Sequence, residues 1–337
     1  MKTWRVSPGA HIEGLTLVEE PPAGLPAGHV RLRIRAVSLN YRDLAIVQGW
    51  YPVSSKEPLV PGSDAVGVVA ETAPGVTTLR AGDRVATSFF PDWVEGRMVA
   101  ARLATALGGG GRGAFAAEIV LPEHALVKSP AHLDDAGAAT LTCAGVTAWH
   151  ALFATGPLPP GSTVLLLGTG GVSIWALLLA KAAGMRVIIT SSSDAKLEKA
   201  RALGADETIN YTQTPEWSAE ARRLTGGEGV DAVLEVGGEK TVAQSVAAVR
   251  PQGTVAVIGA VSGVGGGIGP RTLIPGATRV QGIFVGSRRM HEELARFVEQ
   301  RGIRPVVDRS FAFAELPEAY RYFQTGRHFG KVTAVLD

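Results

Sequence analysis

Apolar and polar positions follow two rhythms along this chain. Over residues 1–60, short runs such as Leu15–Val18 and Val30–Ala36 alternate apolar and polar side chains. That is the period of half-buried antiparallel strands. Beyond Gly161 the alternation gives way to short unbroken apolar runs at Val164–Leu167, Val187–Thr190, Ala232–Val236, Thr254–Ile258 and Val280–Val285. Such runs predict strands buried on both faces. Helix-forming composition fills the gaps, at Ile174–Ala183 up to the stop at Gly184 and at Asp194–Leu203 up to Gly204. A strand, a glycine turn, a helix and a second parallel strand form the opening unit of a dinucleotide-binding sheet.

The remaining segments set the domain order. Ser38–Asp43 leaves a strand and enters a short helix at Leu44–Gln48, and Pro61-Gly62-Ser63-Asp64 leads into a strand at Ala65–Ala70. Ala81–Val85 turns into another strand. From Pro91 to Gly113 periodicity is lost and glycines gather, which predicts a mobile surface excursion. Ala114–Leu121 resumes strand character, and helical sequence runs from Asp134 past Cys143 to Phe153. After Ile258 come a glycine-rich loop at Ser262–Gly269, helical periodicity at 290–300 and 315–325, and a last strand, Lys331–Leu336. The expected fold is α/β: a doubly wound parallel-sheet domain over 126–288, inserted in a β-rich domain built from 1–125 with a C-terminal return over 289–337. The cleft between two such domains is the default active site.

A length of 337 residues agrees with two domains. The formal charge of +2 comes without a basic block or stripe, which makes nucleic acid an unlikely main partner. A single cysteine, Cys143, excludes an internal disulfide framework and suits a reducing compartment. It is expected as a buried apolar contact. The first residues carry no apolar signal core, and the apolar stretch at Trp175–Ala180 is cut short by Lys181. A cytoplasmic protein without a membrane segment is expected.

Candidate chemistry concentrates in the glycine turn. Backbone N–H groups around Gly168, Gly170, Gly171 and Val172 are placed to approach a pyrophosphate at a helix N-terminus. Ser173 stands where a third glycine is usual and is small enough for helix–strand packing. Two later strands end in Gly237-Gly238 and Gly259, at the sheet edge where a ligand sits. An acidic residue about twenty positions past the glycines would bind the 2′-hydroxyl of NAD. Here Thr190, Ser191, Ser192 and Ser193 carry no charge and Lys196 follows one turn on. Hydroxyls with an ammonium suit a 2′-phosphate, so the expected cofactor is NADP(H), with Asp194 capping the helix. Thr147, Phe284, Val285 and Lys331 complete the candidate cofactor contacts. Loops at Trp50–Lys56, Phe89–Gly113 and Phe284–Arg289 would shape the substrate pocket.

The motifs AVSLNYRD (Ala36–Asp43), PGSD (Pro61–Asp64), GDRV (Gly82–Val85), TCAGVTAWHAL (Thr142–Leu152), GTGGVS (Gly168–Ser173) and HFGKV (His328–Val332) occur in a telling order. Over its whole length the chain resembles the medium-chain dehydrogenase/reductase superfamily. That resemblance implies a GroES-like catalytic domain beside a Rossmann domain, hydride transfer with NAD(P)H, and homodimers or homotetramers. Departures narrow the branch. Zinc-dependent alcohol dehydrogenases have a cysteine where Leu39 or Asn40 stands and His-Glu where Ser63-Asp64 stands. Only Cys143 matches a zinc-ligand position, and the excursion lacks the cysteines of a structural zinc lobe, so no metal is expected. The seven histidines show no ligand-like spacing.

The branch it resembles is the zinc-free quinone oxidoreductases, zeta-crystallin and related enoyl reductases among them. Asn40 and Tyr51 match polar residues lining that family's nicotinamide pocket and are the candidate catalytic residues. Tyr211 matches a tyrosine packed near the 2′-phosphate. Asp43 is expected to pair locally with Arg42 or another cation. The implied activity is NADPH-dependent reduction of a quinone or α,β-unsaturated carbonyl. Alternatives are a zinc-free NADP-dependent alcohol dehydrogenase or carbonyl reductase, and a non-catalytic NADPH-binding, crystallin-like or RNA-interacting protein. Val280–Val285 is the expected edge for pairing across a dimer axis.

Overall fold

The structure, a computed structural model, describes residues 1–53, 57–154, 156–263, 265 and 267–336. Parts of two expected loops, Ser54–Lys56 in one and Val264 and Gly266 in the other, lie outside the described residues. The chain forms two compact units. One comprises Met1–Val146 together with the chain from Val285 onward; the other is Thr147–Phe284. The insertion expected from the sequence is therefore present. Its boundaries differ from 125/126 and 288/289, because the helical segment after Asp134 packs on strands His29–Ser38 and Asp64–Thr72 of the first unit.

The second unit is a six-stranded sheet, every pair of neighbours parallel. Across it lie Glu207–Asn210, Arg186–Ser191, Thr163–Leu166, Val230–Glu235, Val249–Val257 and Arg279–Gly282. In chain order that is 3-2-1-4-5-6, the doubly wound arrangement whose switch point lies between the first and fourth strands. The central strands are apolar throughout because helices cover both faces: Val164, Leu165, Leu166, Ile188, Val233 and Leu234 are all buried. The last strand differs from the buried run expected at Val280–Val285. It is short, spans Arg279–Gly282, and all four residues are exposed, since it is an edge with a neighbour on one side only.

The helix after the glycine turn begins at Gly171, ahead of the expected Ile174, and runs to Ala182. Gly168 takes φ +70°, the left-handed region that the turn requires. Ser173 fits the third-glycine position by turning its hydroxyl inward, where Oγ donates to the Leu167 carbonyl oxygen at 2.7 Å. The next helix, Asp194–Ala202, is capped by Ser193, whose side chain accepts from Lys196 N. Asp194 does not cap it as expected; its carboxylate accepts from Asn210 Nδ2 at 2.7 Å and Gln213 Nε2 at 3.1 Å.

In the first unit, strands from both chain ends interleave. Lys331–Val335 lies between Val307–Ala312 and His29–Ser38, and the sheet continues through Asp64–Thr72, Arg84–Thr87 and Leu126–Lys128. Glu118–Pro122 also pairs with His29–Ser38. The excursion at 91–113 is not the loose surface segment its glycines suggested. Phe90, Trp93 and Leu107 are buried, Ala100–Leu103 forms a helical turn, and Arg42 Nη2 donates to the Leu107 carbonyl oxygen at 2.5 Å. Helical structure begins at Asp135 and reaches Ala154, but it is widened at Leu141–Gly145 and again at His150–Ala154.

The parallel sheet's stability rests on its buried aliphatic layer. Leu165 is fully buried at its centre, so Leu165→Ala is expected to cost about 2–5 kcal/mol through lost transfer energy and a cavity. A urea-denaturation midpoint unchanged by this substitution would show that the layer is not under tension of this kind.

Candidate active site

At the switch point of the second unit, the carboxyl ends of Thr163–Leu166 and Val230–Glu235 both open into glycines. The helix at Gly171 has no side-chain cap, so its first-turn N–H groups have no partner inside the helix. A Cβ built at Gly168 or Gly170 meets nothing within 4 Å. Open space over uncapped amides at the positive end of a helix of this length fits a phosphate group. This contrasts with the following helix, whose Ser193 cap is filled.

The neighbouring strand end is organised by a residue that sequence reasoning passed over. Glu235 is fully buried, and its Oε1 accepts from Gly237 N at 2.6 Å, Gly238 N at 2.9 Å and Thr241 Oγ1 at 2.6 Å. Ser245 Oγ donates to its other oxygen. One carboxylate thus sets the glycine turn and ties it to helix Val242–Ala248. An acidic residue closing an apolar strand just before Gly-Gly was the available signal.

Ser191 ends its strand buried, Ser192 is exposed, and Lys196 is half-buried on the first turn of the next helix. Tyr211 N donates to the Ser191 carbonyl oxygen at 3.1 Å, which holds the exposed Tyr211 ring to the same strand end. Ser191, Ser192, Lys196 and Tyr211 are therefore brought together at one strand end. Thr147 is buried at the start of this unit. Gly259 sits where a Cβ would come within 2.5 Å of the Val236 carbonyl oxygen, so the position has room for glycine alone. The chain re-enters the first unit between Phe284 and Val285. Val285 takes φ +50° there, a conformation costing a β-branched residue on the order of 1–3 kcal/mol.

The first unit holds a buried polar cluster, and sheet register assembles it. Ser38 pairs with Asp64 on one side and with Thr333 on the other, and Leu39 N donates to the Val332 carbonyl oxygen. Three strands therefore end together, bringing Asn40, Asp64 and Lys331 into contact. Lys331 Nζ donates to the Leu39 carbonyl oxygen at 2.5 Å and to Asn40 Oδ1 at 2.6 Å, and stands 4.0 Å from Asp64 Oδ2. Asp64 accepts from Ser63 Oγ at 2.7 Å and from Cys143 N at 3.3 Å. Asp43 accepts from Asn40 N at 2.9 Å and pairs with Arg42 Nη2 at 3.3 Å, as expected. Arg42 also lies over the Phe89 ring, 4.2 Å from its centroid.

Burial dominates the electrostatics of these groups. It pushes Asp64 up to about 6 against the opposing charge of Lys331, the neighbouring Asn40 amide and the hydrogen bond from Ser63. Asp43 is likewise raised by burial, with Arg42 opposing. Half-buried Cys143 is pushed up to about 12, first by desolvation and then by Asp64. Tyr51, held to the end of helix Tyr41–Val47 by a bond from its N–H to the Ala45 carbonyl oxygen at 3.3 Å, is raised by burial, so its phenol stays protonated. Of the predicted residues, Asn40 and Tyr51 belong to this cluster. Lys331 does too, with its ammonium bonded to Leu39 and Asn40 of the first unit.

An inserted 3-2-1-4-5-6 parallel sheet with an open glycine turn, joined to a β-rich unit with a buried polar cluster, defines a nucleotide-dependent oxidoreductase. The chain matches the alcohol dehydrogenase GroES-like domain family over residues 26–131 and the zinc-binding dehydrogenase family over 171–300. It is 43% identical to a zinc-type alcohol dehydrogenase-like protein of Schizosaccharomyces pombe, covering 94% of each chain. A 2-haloacrylate reductase of Burkholderia is 36% identical over 73% of this chain and 69% of its own length. A solved structure of an NAD-dependent alcohol dehydrogenase superposes with a TM-score of 0.91 at 32% identity, covering all of both chains. The protein belongs to the medium-chain dehydrogenase/reductase superfamily and is an oxidoreductase of that superfamily. Among the described residues, no helix is long and apolar enough to cross a membrane.

Asp64 gives the cluster a pH signature. Its carboxyl titrates near 3.8 in the unfolded chain and about 6 when folded. The folded state holds the extra proton between those values, so the stability Asp64 contributes falls as pH rises through that window. The stability of the wild type minus that of Asp64→Asn is expected to drop by about 2 kcal/mol between pH 4 and pH 6.5. Chemical-denaturation curves at several pH values provide the check; a difference that is flat or rises would contradict the assignment.

Proposed function

We propose that this protein is a zinc-independent NADPH-dependent reductase that transfers hydride to a quinone or an α,β-unsaturated carbonyl. The observation that carries the reading is the donor set of the buried cluster. Two carboxylates, Asp43 and Asp64, lie with two cations, Arg42 and Lys331, so a divalent ion would add charge to a balanced site. Among the described residues no group of three or more His, Cys, Asp or Glu could hold a metal ion.

A reduced nicotinamide supplies the hydride when bound. Without a Lewis acid, simple ketone reduction depends on hydrogen-bond donors alone, which forfeits several kcal/mol of charge stabilisation. A conjugated acceptor makes a smaller demand, since hydride adds to the β-carbon or ring while charge spreads to a remote oxygen. Asn40 Nδ2 and the protonated Tyr51 phenol are the donors for that oxygen, and solvent returns the proton at carbon. Kinship with a 2-haloacrylate reductase supports this substrate class. A second reading, a zinc-free alcohol dehydrogenase or carbonyl reductase, is favoured by kinship with alcohol dehydrogenase-like proteins.

For the cofactor, Ser191, Ser192 and Lys196 with no acidic side chain among them favour a 2′-phosphate. A single cysteine supports a cytoplasmic setting, and the exposed edge strand Arg279–Gly282 supports a homodimer or homotetramer.

Purified protein mixed with NADPH and a panel of quinones and enones is expected to oxidise NADPH, and to keep doing so after chelation. Oxidation confined to alcohols with NADP⁺ would shift the assignment to the second reading. By calorimetry NADPH binds more tightly than NADH, and the Ser192→Asp/Lys196→Ala variant weakens NADPH about tenfold or more, equivalent to about 1.4 kcal/mol. Equal affinities for the two cofactors in the wild type would overturn the NADPH preference.

A further inference from the structure

We infer that Lys331 is a positioning residue: it fixes the side-chain amide of Asn40 so that the amide acts as a hydrogen-bond donor toward the reacting oxygen. The inference rests on the substrate class proposed above and adds the element that orients the donor. An asparagine amide has one accepting and one donating end, and the two can exchange by a flip. An ammonium has donors only. With Lys331 Nζ 2.6 Å from the Asn40 side chain, the atom facing it is therefore Oδ1.

The other end then has no choice. Asn40 is 8% exposed, and its Nδ2 is a buried atom without a well-formed hydrogen bond among the described residues. It lies on the side of Asp64, whose ionised form it favours. A buried donor with no aligned partner is costly unless a ligand completes it. Lys331 is itself nearly fully buried, and its second bond, to the Leu39 carbonyl oxygen at 2.5 Å, ties its ammonium to the backbone just before Asn40. The ammonium cannot swing away without losing both bonds, and a flipped amide would set two sets of N–H protons against each other. The charged groups facing Lys331 are Asp64 and, through Asn40, Asp43.

The test is a double-mutant cycle with a readout that does not depend on turnover. Removal of an oxyanion donor costs roughly 100-fold in kcat, so Asn40→Ala is expected to lose about that much. Lys331→Met leaves the donor present, with the accepting end of the amide held only by the Asp43 N–H of the capping box, and is expected to lose about tenfold in kcat with little change in KM. Combining the two is expected to be no worse than Asn40→Ala alone. Additive losses, or a folded Lys331→Met with unchanged kcat, would overturn the inference. Because Lys331→Met leaves Asp64 without its cation, the cycle is repeated on an Asp64→Asn background, which removes one charge of each sign. Asn40→Asp keeps the acceptor for Lys331 and removes the donor, and is expected to match Asn40→Ala in kcat.

Independently, ¹⁵N spectra of the full-length wild-type protein report the Asn40 amide directly. Adding 2-cyclohexenone with oxidised cofactor is expected to shift the Asn40 side-chain protons, and the shift is lost or broadened in Lys331→Met. An unmoved Asn40 pair in the wild type would overturn the positioning role. A pinned and responsive amide in a protein that turns over no enone would instead sink the substrate reading while the positioning role stands.

Discussion

Two cations and two carboxylates are buried together in the first unit, and none can leave alone. Removing a single charge would strand an uncompensated partner in a low-dielectric interior, a change that costs far more than the pair contributes in place. Lys331, Asp64, Asn40, Arg42 and Asp43 therefore behave as one object. The backbone around them is fixed by the same requirement. Arg42 reaches to the carbonyl of Leu107 and over Phe89, so the glycine-rich excursion is anchored through the charge cluster as well as through its own buried aromatics. Asp43 holds the first turn of helix Tyr41–Val47, and the far end of that helix carries Tyr51.

The second unit solves a different problem. Its sheet is apolar and self-contained, and its ligand-facing edge is made almost wholly of main chain: an uncapped helix start, a left-handed glycine, and a glycine turn held by Glu235. Backbone dipoles need no side-chain rearrangement to meet a phosphate, so this edge is rigid and generic.

Sequence made the second unit nearly transparent and the first opaque, for a physical reason. A parallel sheet buried on both faces writes itself as unbroken apolar runs, and its glycine turn must fall between a strand and a helix; both are local signals. Asn40 and Tyr51 entered the reading only through resemblance, because nothing in their immediate neighbours marks them. Lys331 stands near the chain end with no local mark of the polar partners it meets. Its true surroundings are set by strand register with a segment near the other end of the chain, which no local pattern records. The excursion misled similarly: Phe90, Trp93 and Leu107 anchor it, but at spacings that match neither helix nor strand. Ser193 and Asp194 are both good caps by type, and one residue of phase separated them.

The bond from Lys331 to Asn40 joins residues 291 positions apart, with the whole second unit lying between them in the chain. During synthesis the segment bearing Asn40 and Asp64 must wait for its complement, because the cation that faces Asp64 is Lys331. Closing so long a loop is slow rather than costly, since its entropy grows only with the logarithm of length. The inserted unit has a sheet and a buried aliphatic layer of its own. Assembly of the buried charge cluster thus follows synthesis of Lys331, 291 positions after Asn40.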